Sequence, residues 1–269
     1  MRELTVEEVK QVQLAVLAET DRWCREHQIP YYLAYGTLLG AVRHQGYIPW
    51  DDDIDIIMLR RDYEAFIRTF NTDRIDSIRV LHHSLDPNFP YEYAKIHDRS
   101  TKMVESAGIH YEIGINIDLF VLDSVPTEKL KKLMKAKALP TKIMAYKNYG
   151  IPAQEPMMKH IIHRTAQGIC SHIPIHWCTS HIDRICSRYR DDSDCVQLAD
   201  LCQPLFRESE AMERNWFSEQ MEQSFEQNRF FGPKKYDEVL TAWYGDYMQL
   251  PPEEQRVTHH SYHAYQVEH

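Results

Sequence analysis

Ile48-Pro-Trp-Asp-Asp-Asp-Ile-Asp-Ile-Ile57 is the stretch that decides the fold. Asp51, Asp53 and Asp55 alternate with Asp52, Ile54 and Ile56. Successive side chains of a β-strand point to opposite faces, so the alternation predicts three carboxylates on one face and isoleucines on the other. Carboxylates held that close repel, and burying them without a partner is costly. A divalent cation relieves the conflict, and hard oxygen donors suit Mg²⁺ or Mn²⁺. A solvated acidic turn is the plainer alternative, but the isoleucines and the Pro-Trp lead-in favour a buried strand edge.

Upstream, Thr5 and Glu8 form a capping-box pattern ahead of Val9, Val12, Val16 and Leu17, which predicts a helix to about His27. Residues 31–35 read as a strand, Gly36-Thr37 as a turn, and residues 38–42 as the start of a second helix. Arg43 to Gly46 form a polar loop before the acidic strand. Downstream, Tyr63, Phe66, Ile67 and Phe70 share a helical face over 62–70. Short strands are expected at 78–82, 92–97 and 115–120, and the last carries Asp118. Residues 127–190 read as mainly helical, with interruptions at Pro140, Pro152, Pro156 and Pro174. The change of texture near 125 suggests a catalytic core over 1–125 and a helical lobe with C-terminal tail over 126–269.

The chain of 269 residues is ordinary in composition, with 43% hydrophobic and 26% charged residues. A net charge of -9 argues against a general nucleic-acid binder but not against binding one nucleotide. No apolar run approaches a membrane span, and the first residues lack a signal-peptide pattern, so a cytoplasmic location is expected. Six cysteines (24, 170, 178, 186, 195, 202) include no Cys-x-x-Cys pair, which favours buried reduced thiols over a zinc site. Lysines 129, 131, 132, 135, 137, 142 and 147 crowd one segment of an acidic protein. They suggest a solvated helix face or peripheral contact with an anionic membrane.

The order strand, Gly-Thr, helix, Asp-x-Asp strand and a further strand Asp suits phosphoryl transfer. Glycine lets backbone approach phosphate, amides at a helix start and a Thr hydroxyl bind phosphate oxygens, and carboxylates hold metal against a diphosphate. Residues 35–57, Tyr-Gly-Thr-Leu-Leu-Gly-Ala-Val-Arg-His-Gln-Gly-Tyr-Ile-Pro-Trp-Asp-Asp-Asp-Ile-Asp-Ile-Ile, closely resemble the signature of LicD-type phosphotransferases. These are relatives of fukutin within the nucleotidyltransferase-fold superfamily. Tyr93-Ala-Lys95, Ile117-Asp118-Leu-Phe, Tyr244-Gly-Asp-Tyr, Leu250-Pro-Pro and the neighbourhood of Arg256 extend the likeness; residues 127–240 carry no motif of it.

The resemblance implies an α+β fold, a nucleotidyltransferase-like mixed sheet flanked by helices with a mainly helical C-terminal half. It implies transfer of phosphocholine from CDP-choline to a hydroxyl of a cell-surface glycan precursor, of teichoic acid or lipopolysaccharide type, with CMP leaving. The acceptor could be lipid-linked and the enzyme held at the inner face of the membrane. Asp53 and Asp55 match the metal pair, Asp118 the third strand carboxylate, and Asp51 an acidic position beside them. Gly36 and Thr37 match the turn expected to touch the diphosphate. Arg43, His44 and Lys95 are candidates for phosphate or the cytidine ring, and Arg256 and His259, with His260 beside them, for a C-terminal cover over the site. Gly-Thr in place of the superfamily's Gly-Gly or Gly-Ser, and a long spacer to Asp53, are traits shared with LicD-like proteins.

Several rivals remain at this level. Another phosphoalcohol, ribitol or glycerol phosphate, could travel from its CDP derivative. A true nucleotidyltransferase would release pyrophosphate. A non-catalytic metal-binding protein is a third reading, but Ile56 and Asp62 stand where a calcium loop needs Gly and Glu. A glycosyltransferase Asp-x-Asp is opposed by the upstream Gly-Thr.

Overall fold

The computed structural model describes residues 1–72, 77–105, 111–148, 157–192, 194–202, 211–258 and 262–267. A two-residue strand, β1 (Arg2–Glu3), leads into α1 (Val6–His27). Thr5 caps α1: the Glu8 N–H donates to the Thr5 hydroxyl at 3.3 Å, and the Thr5 N–H donates to the Glu8 carboxylate at 2.9 Å. Such a cap contributes about 1 kcal/mol. β2 (Tyr32–Leu33) is shorter than the strand expected over 31–35, because α2 (Tyr35–His44) begins at once. Gly36 and Thr37 therefore lie in the first turn of a helix and not in a turn before it. The ladder of β3 (Asp55–Leu59) starts at the last of the alternating aspartates, followed by α3 (Arg60–Thr69).

β4 (Ile78–Leu81), β5 (Ala94–Asp98) and β7 (Asn116–Ser124) fill the three expected strand positions. β6 (Thr101–Glu105) has no counterpart in the sequence reading. The main sheet runs β2-β3-β7-β5-β4, with β3 and β7 parallel and the other pairs antiparallel. β8 (Gln197–Ala199) joins the end of β7, and β9 (Met212–Glu213) joins β8. The faces of this mixed sheet are near-continuously apolar: Ile54, Ile56, Ile57, Met58, Leu119 and Val121 are buried. Trp23 of α1 packs edge-on against Phe66 and Phe70 over one face, with ring centroids 5.3 and 5.2 Å away.

The C-terminal half is helical as expected, with α4 (Thr127–Asn148), α5 (Met157–Ser171) and α6 (Ile175–Cys186). Pro140 does not interrupt α4 but sits buried within it. The lysine-rich segment is not a uniformly solvated face either. Lys137 is buried on the same side of α4 as Leu130, Leu133, Ile143 and Met144, and donates to the Leu201 carbonyl. A hairpin, β10 (Gln220–Phe225) and β11 (Asn228–Pro233), precedes α7 (Tyr236–Tyr244). β12 (Tyr262–Gln266) then pairs with both β1 and β6. A mixed sheet with seven α-helices among the described residues makes this an α+β fold.

A buried ion network fastens the helical half to the sheet. Arg60, at the start of α3, binds both oxygens of Asp123 on β7 at 2.7 Å, and a third guanidinium N–H reaches Asp183 of α6 at 2.7 Å. Asp123 is fully buried and Arg60 only 4% exposed. A bidentate, desolvated pair of this kind leaves a stranded charge if one partner is lost. Burial raises the Asp123 pKa, and Arg60 pulls it back only in part.

His82 and His83 lie beside this network, their rings 4.0 Å apart. The Ser84 N–H donates to His82 Nδ1 at 3.3 Å, while His82 Nε2 is buried without a partner. Burial, with His83 second, pushes the His82 pKa down to about 3. An unfolded histidine titrates near 6.5. Between those values the unfolded chain binds the proton and the folded protein does not, so this group lowers stability as pH falls from about 6.5 towards 3.

Arg60→Leu is expected to cost about 3–5 kcal/mol in urea unfolding, because Asp123 stays buried and unpaired. The double variant Arg60→Leu, Asp123→Leu should recover a substantial part of that loss. A double variant no more stable than the single one would contradict this account. His82→Asn keeps an acceptor near Nδ1 but does not titrate. Its unfolding midpoint should fall less steeply than the wild type's between pH 6.5 and 4, by up to one proton, about 1.4 kcal/mol per pH unit.

Candidate active site

Three strands bring the acidic site together. β3 runs parallel to β7 with Asp55 beside Asp118, and β5 runs antiparallel to β7 with Lys95 opposite Asp118. Residues aligned across neighbouring strands project from the same face, so Asp55, Asp118 and Lys95 form a row. Lys95 Nζ donates to Asp118 Oδ1 at 2.6 Å and to Asn116 Oδ1 at 3.1 Å. Asn116 shares that face because it lies two residues from Asp118 on the strand. The Tyr91 and Tyr93 rings lie 4.7 and 5.5 Å from the ammonium, and the Tyr93 hydroxyl bonds to Asp118.

Asp53 and Asp51 approach from the segment before β3. Burial raises the Asp55 pKa well above the usual carboxylate range, and repulsion from Asp53, Asp118 and Asp51 adds to it against the attraction of Lys95. The four carboxylates therefore share one electrostatic environment. Asp52 is buried on another side, where its charge meets Tyr262 of β12. The alternation read from the sequence thus separates Asp52 from the other three. Lys95 already takes one oxygen of Asp118. Among the described residues no three carboxylate, imidazole or thiolate groups stand gathered in ligating positions.

α2 positions this row. The Asp55 N–H donates to Thr37 Oγ1 at 2.8 Å, and Thr37 is buried. Thr37 therefore ties the start of β3 to the first turn of α2. Gly36 lies against Asp51: a Cβ built on it would fall 2.4 Å from Asp51 Oδ2. Only glycine leaves that carboxylate its place. On the other flank, Gln13 of α1 donates to the Asp52 carbonyl at 3.0 Å and reaches the Asn116 carbonyl at 3.4 Å, bracing both acidic segments.

Gly36 and Asp51 also line a cleft of about 520 Å³. Its walls include Arg43, Trp50, Tyr244, Tyr247 and Pro251. Arg43 donates to the Tyr247 carbonyl at 2.7 Å and to His44 Nε2 at 3.0 Å, so His44 stands behind Arg43. Burial, and then Arg43, lower the His44 pKa, which keeps its ring neutral and accepting. Arg256 lies over the Trp50 ring at 5.6 Å and donates to the Pro251 carbonyl at 2.9 Å. The Thr258 hydroxyl donates to the Trp50 carbonyl at 3.3 Å. The C-terminal motif thus folds back onto the acidic segment. His259 and His260 lie outside the described residues.

One contributor has no signal in the sequence. Tyr35 starts α2 with φ of +43°, a left-handed conformation costly for a bulky residue. Its hydroxyl donates to Asp200 Oδ2 at 2.8 Å, and its ring packs on Trp243 at 4.4 Å and Phe120 at 5.3 Å. Burial pushes the Asp200 pKa up to about 6, restrained by Tyr35, the Cys202 N–H and Lys137. Asp200 stands 165 residues from Tyr35 in sequence, within the stretch without a recognisable motif.

Comparison with known proteins bears on the same region. Residues 28–121, from β2 through the acidic strands, match the model of the LicD/FKTN/FKRP nucleotidyltransferase domain. The chain is 29% identical to the lipopolysaccharide cholinephosphotransferase LicD of Haemophilus influenzae, over 98% of this chain and 99% of that protein. Shorter matches are to uncharacterised proteins of Rickettsia typhi, 36% identical over 26% of this chain and 23% of that protein, and of Rickettsia prowazekii, 47% identical over 18% of each. The acidic strands thus lie inside a stretch similar to the LicD/FKTN/FKRP nucleotidyltransferase domain, and the likeness to the H. influenzae relative runs from end to end of the chain.

Proposed function

We propose that the protein is a metal-dependent phosphotransferase that moves phosphocholine from CDP-choline to a hydroxyl of a cell-surface glycan, releasing CMP. The observation that carries this reading is the register of Asp55 beside Asp118, with the charges of Asp53 and Asp51 felt at buried Asp55 and Asp51 lining the cleft. The name of the H. influenzae relative, a lipopolysaccharide cholinephosphotransferase, supports phosphocholine as the group moved and a lipopolysaccharide-type acceptor over a teichoic acid. A location at the inner face of the cell membrane fits such an acceptor. Among the described residues no helix is long and apolar enough to cross a membrane.

The donor set fits Mg²⁺ or Mn²⁺: hard carboxylate oxygens, mutual repulsion felt at buried Asp55, and room for Asp51 that a Cβ on Gly36 would remove. Asp53, Asp55 and Asp118 would hold the metal, with Asp51 beside them. When bound, it would neutralise charge on the diphosphate. The acceptor oxygen attacks the choline-bearing phosphorus, the bond from that phosphorus to the bridging oxygen breaks, and CMP leaves with that oxygen. Asp118 receives the hydroxyl proton late, its orientation held by Lys95 and Tyr93. Arg43 and Arg256 bring positive charge to the cleft that takes the nucleotide. The aromatic walls Trp50 and Tyr244 suit a quaternary ammonium, at roughly 0.5–2 kcal/mol per cation–π contact.

Incubation with CDP-choline, Mg²⁺ and acceptor should release CMP and no pyrophosphate. Pyrophosphate as product would make the enzyme a true nucleotidyltransferase, and preference for CDP-ribitol or CDP-glycerol would change the alcohol. Asp53→Asn should lower kcat by roughly 10³-fold, about 4 kcal/mol of transition-state stabilisation, with an unchanged thermal midpoint. Undiminished turnover by that variant would remove the mechanism. Gly36→Ala should displace Asp51 and lower kcat/KM at least ~10-fold, with a change of only a few degrees in the midpoint. An unaffected kcat/KM would show that Asp51 is free to move aside without consequence.

A further inference from the structure

α5 is turned inside out. Across its 15 residues the side facing the protein carries His163, Ala166, Gln167 and Cys170. The His163 ring lies 5.8 Å from Tyr146 of α4. Met157, Met158, Ile161, Ile162 and Ile169 face outward, each between 52 and 81% exposed. At 3.6 residues per turn these five fall within an arc of roughly 140°. Folding normally buries such a stripe, and a contiguous exposed one marks a surface that another body covers.

The charge around the stripe says what that body is. Residues 157–171 contain Lys159 and Arg164 and no Asp or Glu. α4, which packs against α5, exposes Lys129, Lys131, Lys132, Lys135 and Lys142 and contains Glu128 as its one acidic residue. Leu139 of α4 is a further exposed apolar side chain, at 64%. This local excess of cations belongs to a chain whose net charge is -9. A second copy meeting this same face would set one lysine-rich surface against another. An exposed apolar helix face packed beside a lysine-rich helix matches the boundary between headgroups and acyl chains of an anionic bilayer.

We propose that α5 is a monotopic membrane-docking helix. Its Met and Ile side chains enter the acyl boundary of an anionic phospholipid bilayer, and the lysines of α4 engage the headgroups. The lysine-rich segment supplies attraction while α5, which carries no lysine cluster, supplies the insertion. Nothing in this surface depends on which phosphoalcohol the acidic site transfers.

The test is flotation of the full-length protein with phosphatidylcholine vesicles, with and without phosphatidylglycerol. The wild type should float with the phosphatidylglycerol-containing vesicles and far less with the neutral ones. Ile161→Glu with Ile162→Glu should cut the bound fraction at least ~10-fold, as should Met157→Ser with Met158→Ser, and both should keep the wild-type thermal midpoint. Lys131→Ala, Lys132→Ala and Lys135→Ala together should weaken binding most at low salt. Failure of the wild type to float, equal binding to neutral vesicles, or undiminished flotation of the α5 variants would each overturn the proposal. So would a dimer, measured by sedimentation, that the α5 substitutions convert to monomer.

Discussion

The pairing of Asp55 with Asp118 across two parallel strands is the constraint on which the site rests. Parallel strands cannot be joined by a hairpin, so α3, β4, β5 and β6 lie between them in sequence. The register places two carboxylates side by side on one face, and the energetic cost of doing so appears as the raised pKa of Asp55. Lys95, brought opposite Asp118 by the antiparallel β5, offsets part of that cost. Thr37 and Gln13 then hold the acidic segment from its two flanks through backbone groups, leaving the carboxylates themselves uncovered by those ties.

The helical half contributes to this arrangement without supplying a ligand. Arg60 bridges Asp123 and Asp183, so the sheet, α3 and α6 share one buried charge network. Asp200 reaches Tyr35 at the entrance to α2 and stabilises a backbone conformation that costs about 1–3 kcal/mol in isolation. Glu92, whose pKa burial pushes up to about 7, faces Lys137 and Asp200 in the same polar interior. Activity in such a protein depends on residues far outside the recognisable motif, through the geometry they impose.

Local patterns were legible in the sequence wherever the signal had a short period. The capping box of Thr5 and Glu8 and the strand bearing Asp118 follow from spacing and appear where expected, whereas of the alternating aspartates only Asp55 lies on the strand, Asp51 and Asp53 preceding it. α2 starts three residues earlier than its spacing suggests because Tyr35 enters the helix with a positive φ that only its distant partners support. Pro140 read as a break, yet tertiary packing outweighs the lost backbone bond within α4. Lys137 read as a surface cation, and nothing in its neighbours announces the Leu201 carbonyl it serves. The exposed stripe of α5 is invisible in sequence for the opposite reason, since apolar periodicity ordinarily signals burial.

β12 has a bearing on when the protein becomes whole. It pairs with β1 at one edge and β6 at the other, and His263 meets Glu3 at 2.7 Å across 260 residues. Contacts of such separation carry a large loop-closure entropy and form late. On the ribosome, β1 and β6 are synthesised long before the strand that joins them, as is Trp50 before Arg256 comes to lie over it. A nascent chain can thus assemble its acidic row while the cleft beside it is still open on one side, and Arg256 covers the Trp50 ring only after its own segment has been made.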